Sequence, residues 1–203
     1  MKQHSAIFFA FLGFATVIAQ YVLILENRNA SIIETTIRFF SFFTILTNTL
    51  VAFYFICLFL SKKQESKIFE KPGTLTAITV YITIVGLVYQ VALRKIWQPE
   101  GLQLIVNELL HSVIPVLVII YWCFFEKSKN ISYSQILKWL IYPLIYLIYI
   151  LVRGNFSDFY PYPFVDVNAI GLRDVIINTL GLLVLFTLTS AMFIYIGKLI
   201  FRR

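Results

Sequence analysis

The 203 residues are 60% hydrophobic and only 13% charged, with a mean hydropathy of +0.84. That little charge cannot cover the surface of a soluble domain of this size. The net charge of +7 would suggest a nucleic-acid partner in a soluble protein. In a membrane protein it has a simpler origin, because basic residues gather in cytoplasmic loops. No nucleic-acid partner is expected; the expected surroundings are the bilayer.

The apolar residues come in runs near the ~20 residues a helix needs to cross hydrocarbon. A membrane β-barrel would alternate apolar and polar positions, and Ile114–Phe125 does not alternate. Only helices satisfy their own backbone in such runs. The fold class is therefore all-α: a single polytopic six-helix transmembrane domain over residues 1–203.

In chain order the spans fall at roughly 5–25, 37–60, 74–93, 102–125, 134–152 and 172–200. The first resembles a signal peptide, with Lys2, an apolar stretch, and Val17 and Ala19 at small-residue spacing. The apolar run continues through Tyr21–Leu25, longer than a signal core, so it is read as a span. The last is long for one crossing and is expected to tilt or emerge. Cys57 and Cys123 fall inside apolar runs and read as small core residues.

Lys and Arg set the orientation. Lys2, Lys62, Lys63, Lys67, Lys71, Lys127, Lys129, Lys138, Lys198, Arg202 and Arg203 fall on one side. Arg28, Arg38, Arg94, Lys95, Arg153 and Arg173 fall on the other. Eleven against six puts both termini in the cytoplasm.

Polar residues inside the spans repeat at three and four, which gathers each set on one helix face. Span 1 carries Gly13, Thr16 and Gln20. Span 2 carries Ser41, Thr44 and Asn48 with Thr47 beside them. Span 3 carries Thr76, Thr79, Thr83, Gly86 and Gln90. Span 4 carries Asn107, Glu108 and His111, then Pro115. Span 5 carries Tyr142, Tyr146, Tyr149 and Arg153, and span 6 carries Asp174, Asn178 and Gly181. With both termini inside, the strongest of these converge on the outer half of the bundle and predict a polar pocket there.

Ordinary interhelical hydrogen bonding explains the Thr and Gly stripe of span 3. The span 4 cluster exceeds what packing needs, and an ionisable group in a membrane is a functional candidate by default. Glu108 and His111 could bind a metal, but no second histidine or acidic pair completes a site; one membrane histidine excludes bis-histidine haem within a single subunit, and no cofactor is expected. A histidine base needs a nucleophile within reach. Thr44 and His111 lie within about one helical turn of equal depth, counted at 1.5 Å per residue. Thr47 is also in range. The bland alternative for either threonine is a bond to the carbonyl one turn back.

Three stretches then carry a resemblance. Arg38-Phe-Phe-Ser-Phe-Phe-Thr44-Ile-Leu-Thr-Asn48, Asn107-Glu-Leu-Leu-His111-Ser-Val-Ile-Pro115 and Tyr160-Pro-Tyr-Pro-Phe-Val-Asp166 resemble motifs of one family. It is that of the androgen-induced protein and the androgen-dependent coagulation regulator, which has multi-pass bacterial relatives. Its animal members are intramembrane threonine hydrolases of fatty acid esters of hydroxy fatty acids. The likeness covers about residues 5–200 and implies Thr44 as nucleophile, His111 as base, a lipid substrate, and residence in a bacterial inner (plasma) membrane.

In that scheme Asn48 and Asn107 are candidate oxyanion donors, with Glu108 beside them at the substrate. Arg38, Arg153 and Arg173 could receive a fatty-acid carboxylate, or simply anchor at the interface. Trp97, Tyr160 and Tyr162 read as interfacial belt residues. The rival function is a non-enzymatic lipid-binding or small-solute transport protein using the same pocket. The oligomeric state is not legible.

Overall fold

The computed structural model describes residues 2–60, 71–126 and 131–200. Lys62, Lys63, Lys67, Lys127, Lys129, Arg202 and Arg203 of the charge reading lie outside them. Among the described residues the chain is helical, with no strand. The α-helices are α1 (Lys2–Glu26), α2 (Ile32–Phe39), α3 (Phe43–Leu60), α4 (Thr74–Val88), α5 (Gly101–Glu108), α6 (Ile114–Phe125), α7 (Ile136–Trp139), α8 (Ile141–Ser157) and α9 (Val167–Ile200). Six segments are long and apolar enough to cross a membrane: Ser5–Glu26, Phe43–Leu60, Thr74–Leu93, Gly101–Phe125, Tyr133–Ser157 and Val167–Ile200.

The α4 span is 67% buried, against 22% for the first and fifth, so α4 is the central post. It packs on α3, α6 and α9, and α1 lies along α3. A Cβ on Gly13 would stand 2.9 Å from the Cβ of Ala52, and this small-on-small contact lets α1 and α3 close up. The outward faces stay apolar: Phe11, Val91, Phe124, Leu137 and Phe156 are 73–84% exposed. A water-soluble monomer rarely shows so much apolar surface.

The helices depart from straight rods in five places. Pro143 has no N–H to give the carbonyl of Trp139 one turn back, and the chain kinks at Leu140 between α7 and α8. The Tyr81 hydroxyl takes up that carbonyl at 2.7 Å. Gly171 (φ 79°, ψ 157°) interrupts α9, so the long helix effectively starts after it. The span expected at 37–60 is split, with α2 ending at Phe39 and α3 starting at Phe43. Finally, α4 and α5 each run into one π turn, Tyr89–Leu93 and Leu109–Val113.

Candidate active site

The split between α2 and α3 creates a helix start at Thr44. In an unbroken helix the Thr44 N–H would bond Phe40, and the Ser41 carbonyl would receive Ile45. Instead Ile45 N–H turns to Phe42 at 3.1 Å. The Ser41 carbonyl accepts from the Tyr146 hydroxyl of α8 at 2.8 Å. The Thr44 N–H donates to the Tyr162 hydroxyl at 3.3 Å. Two tyrosines from elsewhere in the chain therefore satisfy the polar groups that a helix end exposes. Thr44 now sits in the first turn of α3, where the helix dipole is positive.

The second half of the site comes from the π turn in the fourth span. There Ile114 N–H bonds Leu109, five residues back rather than four. Pro115 supplies no N–H to Leu110 in the same pattern. The stranded Leu110 carbonyl accepts from Asn48 Nδ2 at 3.3 Å. The same Asn48 amide nitrogen reaches the carbonyl of Thr44 at 2.9 Å. Asn48 thus ties the helix of Thr44 to the helix of His111, and both its donor hydrogens are spent on backbone.

Thr44 Oγ1 lies 3.3 Å from His111 Nε2. The other ring nitrogen, Nδ1, is 2.9 Å from the carbonyl of Asn107. A carbonyl only accepts, so Nδ1 carries the hydrogen and Nε2 of the neutral ring offers a lone pair to Thr44. Tyr89, in the other π turn, stacks on the His111 ring with centroids 4.3 Å apart, and its hydroxyl accepts from Asn107 Nδ2 at 2.6 Å. Both π turns thus place a ring at the site, a frequent use of this distortion. The Tyr162 hydroxyl completes it, 3.4 Å from Thr44 Oγ1. Because Thr44 gives its own proton to Nε2, Tyr162 is the donor to Thr44 Oγ1.

Thr44 contrasts with Thr16, Thr79 and Thr83, whose hydroxyls make the ordinary bond to the carbonyl one turn back. Thr47 bonds the Tyr142 hydroxyl at 3.2 Å and is fully buried, away from His111.

Two cavities meet at this point. A chamber of about 880 Å³ is bounded by α1, α3, the fourth span and the loops before α5 and α9, with His111, Tyr89 and Asn107 on its wall. A slot of about 80 Å³ runs between α4, α8 and α9, walled by Ile84, Val88, Leu147, Leu182 and Phe186 among others. Thr44, Tyr162 and Leu93 line both.

Of the residues expected at the site, Thr44, His111, Asn48 and Asn107 converge. Asn48 does so as a brace, with both amide hydrogens on backbone carbonyls; Asn107 gives one amide hydrogen to the Tyr89 hydroxyl and keeps the other. Glu108 is turned away: its carboxylate accepts from Arg94 at 2.8 Å and from Ser112 at 2.6 Å. Arg38 and Arg153 do not line either cavity. They bond Glu34 Oε1 at 2.7 and 2.8 Å and flank the Phe159 ring at 4.8 and 4.9 Å. The Arg38 hydrogen bond, joined by Arg153, holds the Glu34 carboxyl below its usual range against the opposing effect of burial. Arg173 is exposed and lines neither cavity.

Sequence reasoning missed Tyr162 and Tyr89. For Tyr162 a signal existed. It is flanked by Pro161 and Pro163, and a residue before proline is driven to extended backbone; its φ and ψ are −139° and 141°. That fixes the ring direction, an unusual investment for a belt residue. Compared with known proteins, the chain matches no family model, no curated protein and no solved structure.

Proposed function

We propose that this protein is an intramembrane hydrolase of lipid esters, with Thr44 as nucleophile and His111 as general base. The observation that carries it is the 3.3 Å contact of Thr44 Oγ1 with a His111 Nε2 whose lone pair is fixed by the Nδ1–Asn107 bond. The contact sits on a wall shared by an apolar slot and a roomier chamber, an arrangement that suits an acyl chain on one side and an alcohol on the other. The six apolar helices lie in the membrane with both termini in the cytoplasm, from the bias of Lys and Arg, so the chamber lies in the outer half.

The chemistry follows from the atoms. Thr44 Oγ1 attacks the ester carbonyl carbon while its proton passes to His111 Nε2. The carbonyl π pair moves onto oxygen. Thr44 N–H, which donates to the Tyr162 oxygen, and Tyr162 O–H, which donates to Thr44 Oγ1, turn to that oxyanion. When the carbonyl re-forms, the alcohol oxygen leaves and takes the proton from Nε2. Water from the chamber then adds to the acyl-threonine with His111 again as base, releasing the acid and restoring Thr44. Asn107 and Tyr89 hold the His111 ring in one tautomer and orientation.

The test is ester hydrolysis by purified protein with three variants. Thr44→Ala and His111→Ala lower kcat by at least about 10³-fold. Tyr162→Phe lowers kcat about 10²-fold with KM little changed. Activity that survives in both alanine variants would falsify the assignment, and a pocket that binds lipid without cleaving it would leave the carrier reading.

A further inference from the structure

We propose that the chamber rim is a headgroup site for an uncharged polyol, a glycerol or a sugar, and that it disfavours an ester bearing a free carboxylate. This rests on the hydrolase reading for the position of the ester at Thr44. The rim is formed by Gln20, Asn27, Trp97, Glu100 and Gln103. Gln103 lies eight residues before His111 on the same span, hence about 12 Å along the helix at 1.5 Å per residue. A group carried there by the alcohol half of the ester is read separately from the bond that is cut.

The donor and acceptor balance decides what that group is. Gln103 Nε2 donates one hydrogen to Gln20 Oε1 at 2.8 Å, which leaves Gln103 Oε1 to accept, and two hydrogens of Gln20 Nε2 and one of Gln103 Nε2 to donate; turning both amides over leaves the same balance. Asn27 Nδ2 gives one hydrogen to the Leu23 carbonyl at 2.9 Å and keeps one, and its Oδ1 is an acceptor. Glu100 adds a carboxylate, which only accepts. With the Trp97 N–H the rim keeps donors as well as acceptors, and the Glu100 carboxylate tips it toward acceptors; it matches hydroxyl groups, which both donate and accept.

A carboxylate ligand would meet the Glu100 charge with only neutral N–H groups to receive it. Among the described residues no Lys or Arg lines the chamber. Arg94 is held by Glu108, Arg38 and Arg153 by Glu34, and Arg28 turns back to the Leu25 carbonyl at 2.8 Å. Lys95 is exposed and lies outside the lining. The positive end of α5 already carries Glu100 at its N-cap position. Trp97 offers an apolar ring face of the kind on which the C–H face of a sugar rests.

Binding separates this inference from the hydrolase reading. The protein in phosphatidylcholine nanodiscs is titrated, by tryptophan fluorescence, with three non-hydrolysable ether lipids of equal chain length. They are an alkylglycerol, an alkyl glucoside and an ether-linked hydroxy fatty acid with its carboxylate free. We expect the uncharged lipids to bind at least about fivefold more tightly than the acid, and the tighter of the two names the headgroup. In Gln103→Arg the acid should gain at least about threefold. A smaller preference in the wild type, or no gain in Gln103→Arg, overturns the headgroup site. If the affinity order holds but no corresponding ester is cleaved, the hydrolase reading fails and the headgroup site stands.

Discussion

Single residues in this protein act mostly by completing another element's backbone. Asn48, Tyr81 and Tyr146 each bond a carbonyl that a helix irregularity has set loose. Sequence spacing found Thr44, His111, Asn48 and Asn107, because helical periodicity and depth are properties of one helix at a time. It did not show that Asn48 bonds two backbone carbonyls or that Tyr162 meets Thr44, because those contacts depend on backbone groups freed by irregularities elsewhere. The arginines illustrate the same limit. Their number near one end was legible, but not that a single carboxylate, Glu34, engages two of them.

That carboxylate gives a pH signature. Glu34 has its pKa lowered in the folded protein from an ordinary value of 4.5. A depressed acid contributes stability that is fully present above its unfolded value and lost as the pH falls through the folded value. The carboxylate is 30% exposed, so the contribution is that of a solvated pair. Near neutral pH the wild type should melt roughly 1–2 °C above Glu34→Gln. The gap should close in acid. Equal melting temperatures at neutral pH, or a gap that widens in acid, would contradict this account.

At the scale of elements, all six apolar segments were legible and their interruptions were not. The run Phe39–Phe43 contains no Gly or Pro, so nothing local marks the break before α3. The break is held by Tyr146 and Tyr162, which arrive from more than 100 residues away in sequence. The π turns were equally hidden, although Pro115 marked the neighbourhood of one. Deleting Val113 tests the role of that turn. It lets the turn close as ordinary helix while α5 and α6 keep their phase, so the shift falls on the turn itself and takes His111 out of register with Thr44. Hydrolysis should fall at least about 10²-fold while helix content by circular dichroism is kept. Near-normal activity in the deletion would mean that the turn does not set the site.

For the whole molecule, a composition of 60% hydrophobic residues pointed to membrane-spanning helices, and six helices are long and apolar enough to cross a membrane. The proposed orientation is a property of the entire chain and rests on the distribution of its basic residues. A reporter fused to the C-terminus should be active only when it requires the cytoplasm. A C-terminal fusion active only on the far side would reverse the orientation and move the chamber to the inner leaflet.

The two π turns also bear on how such a site could arise. Each is a turn with one residue more than an α-helix uses. The segments that contain them are 20 and 25 residues long, so one residue fewer in each still leaves lengths within the ~17–25 that cross a bilayer. The scaffold does not need the extra residues. A plain ancestor with regular helices could therefore hold the same bundle with no chemistry. Two single-codon insertions, in neighbouring helices, would then bring Tyr89 and His111 face to face.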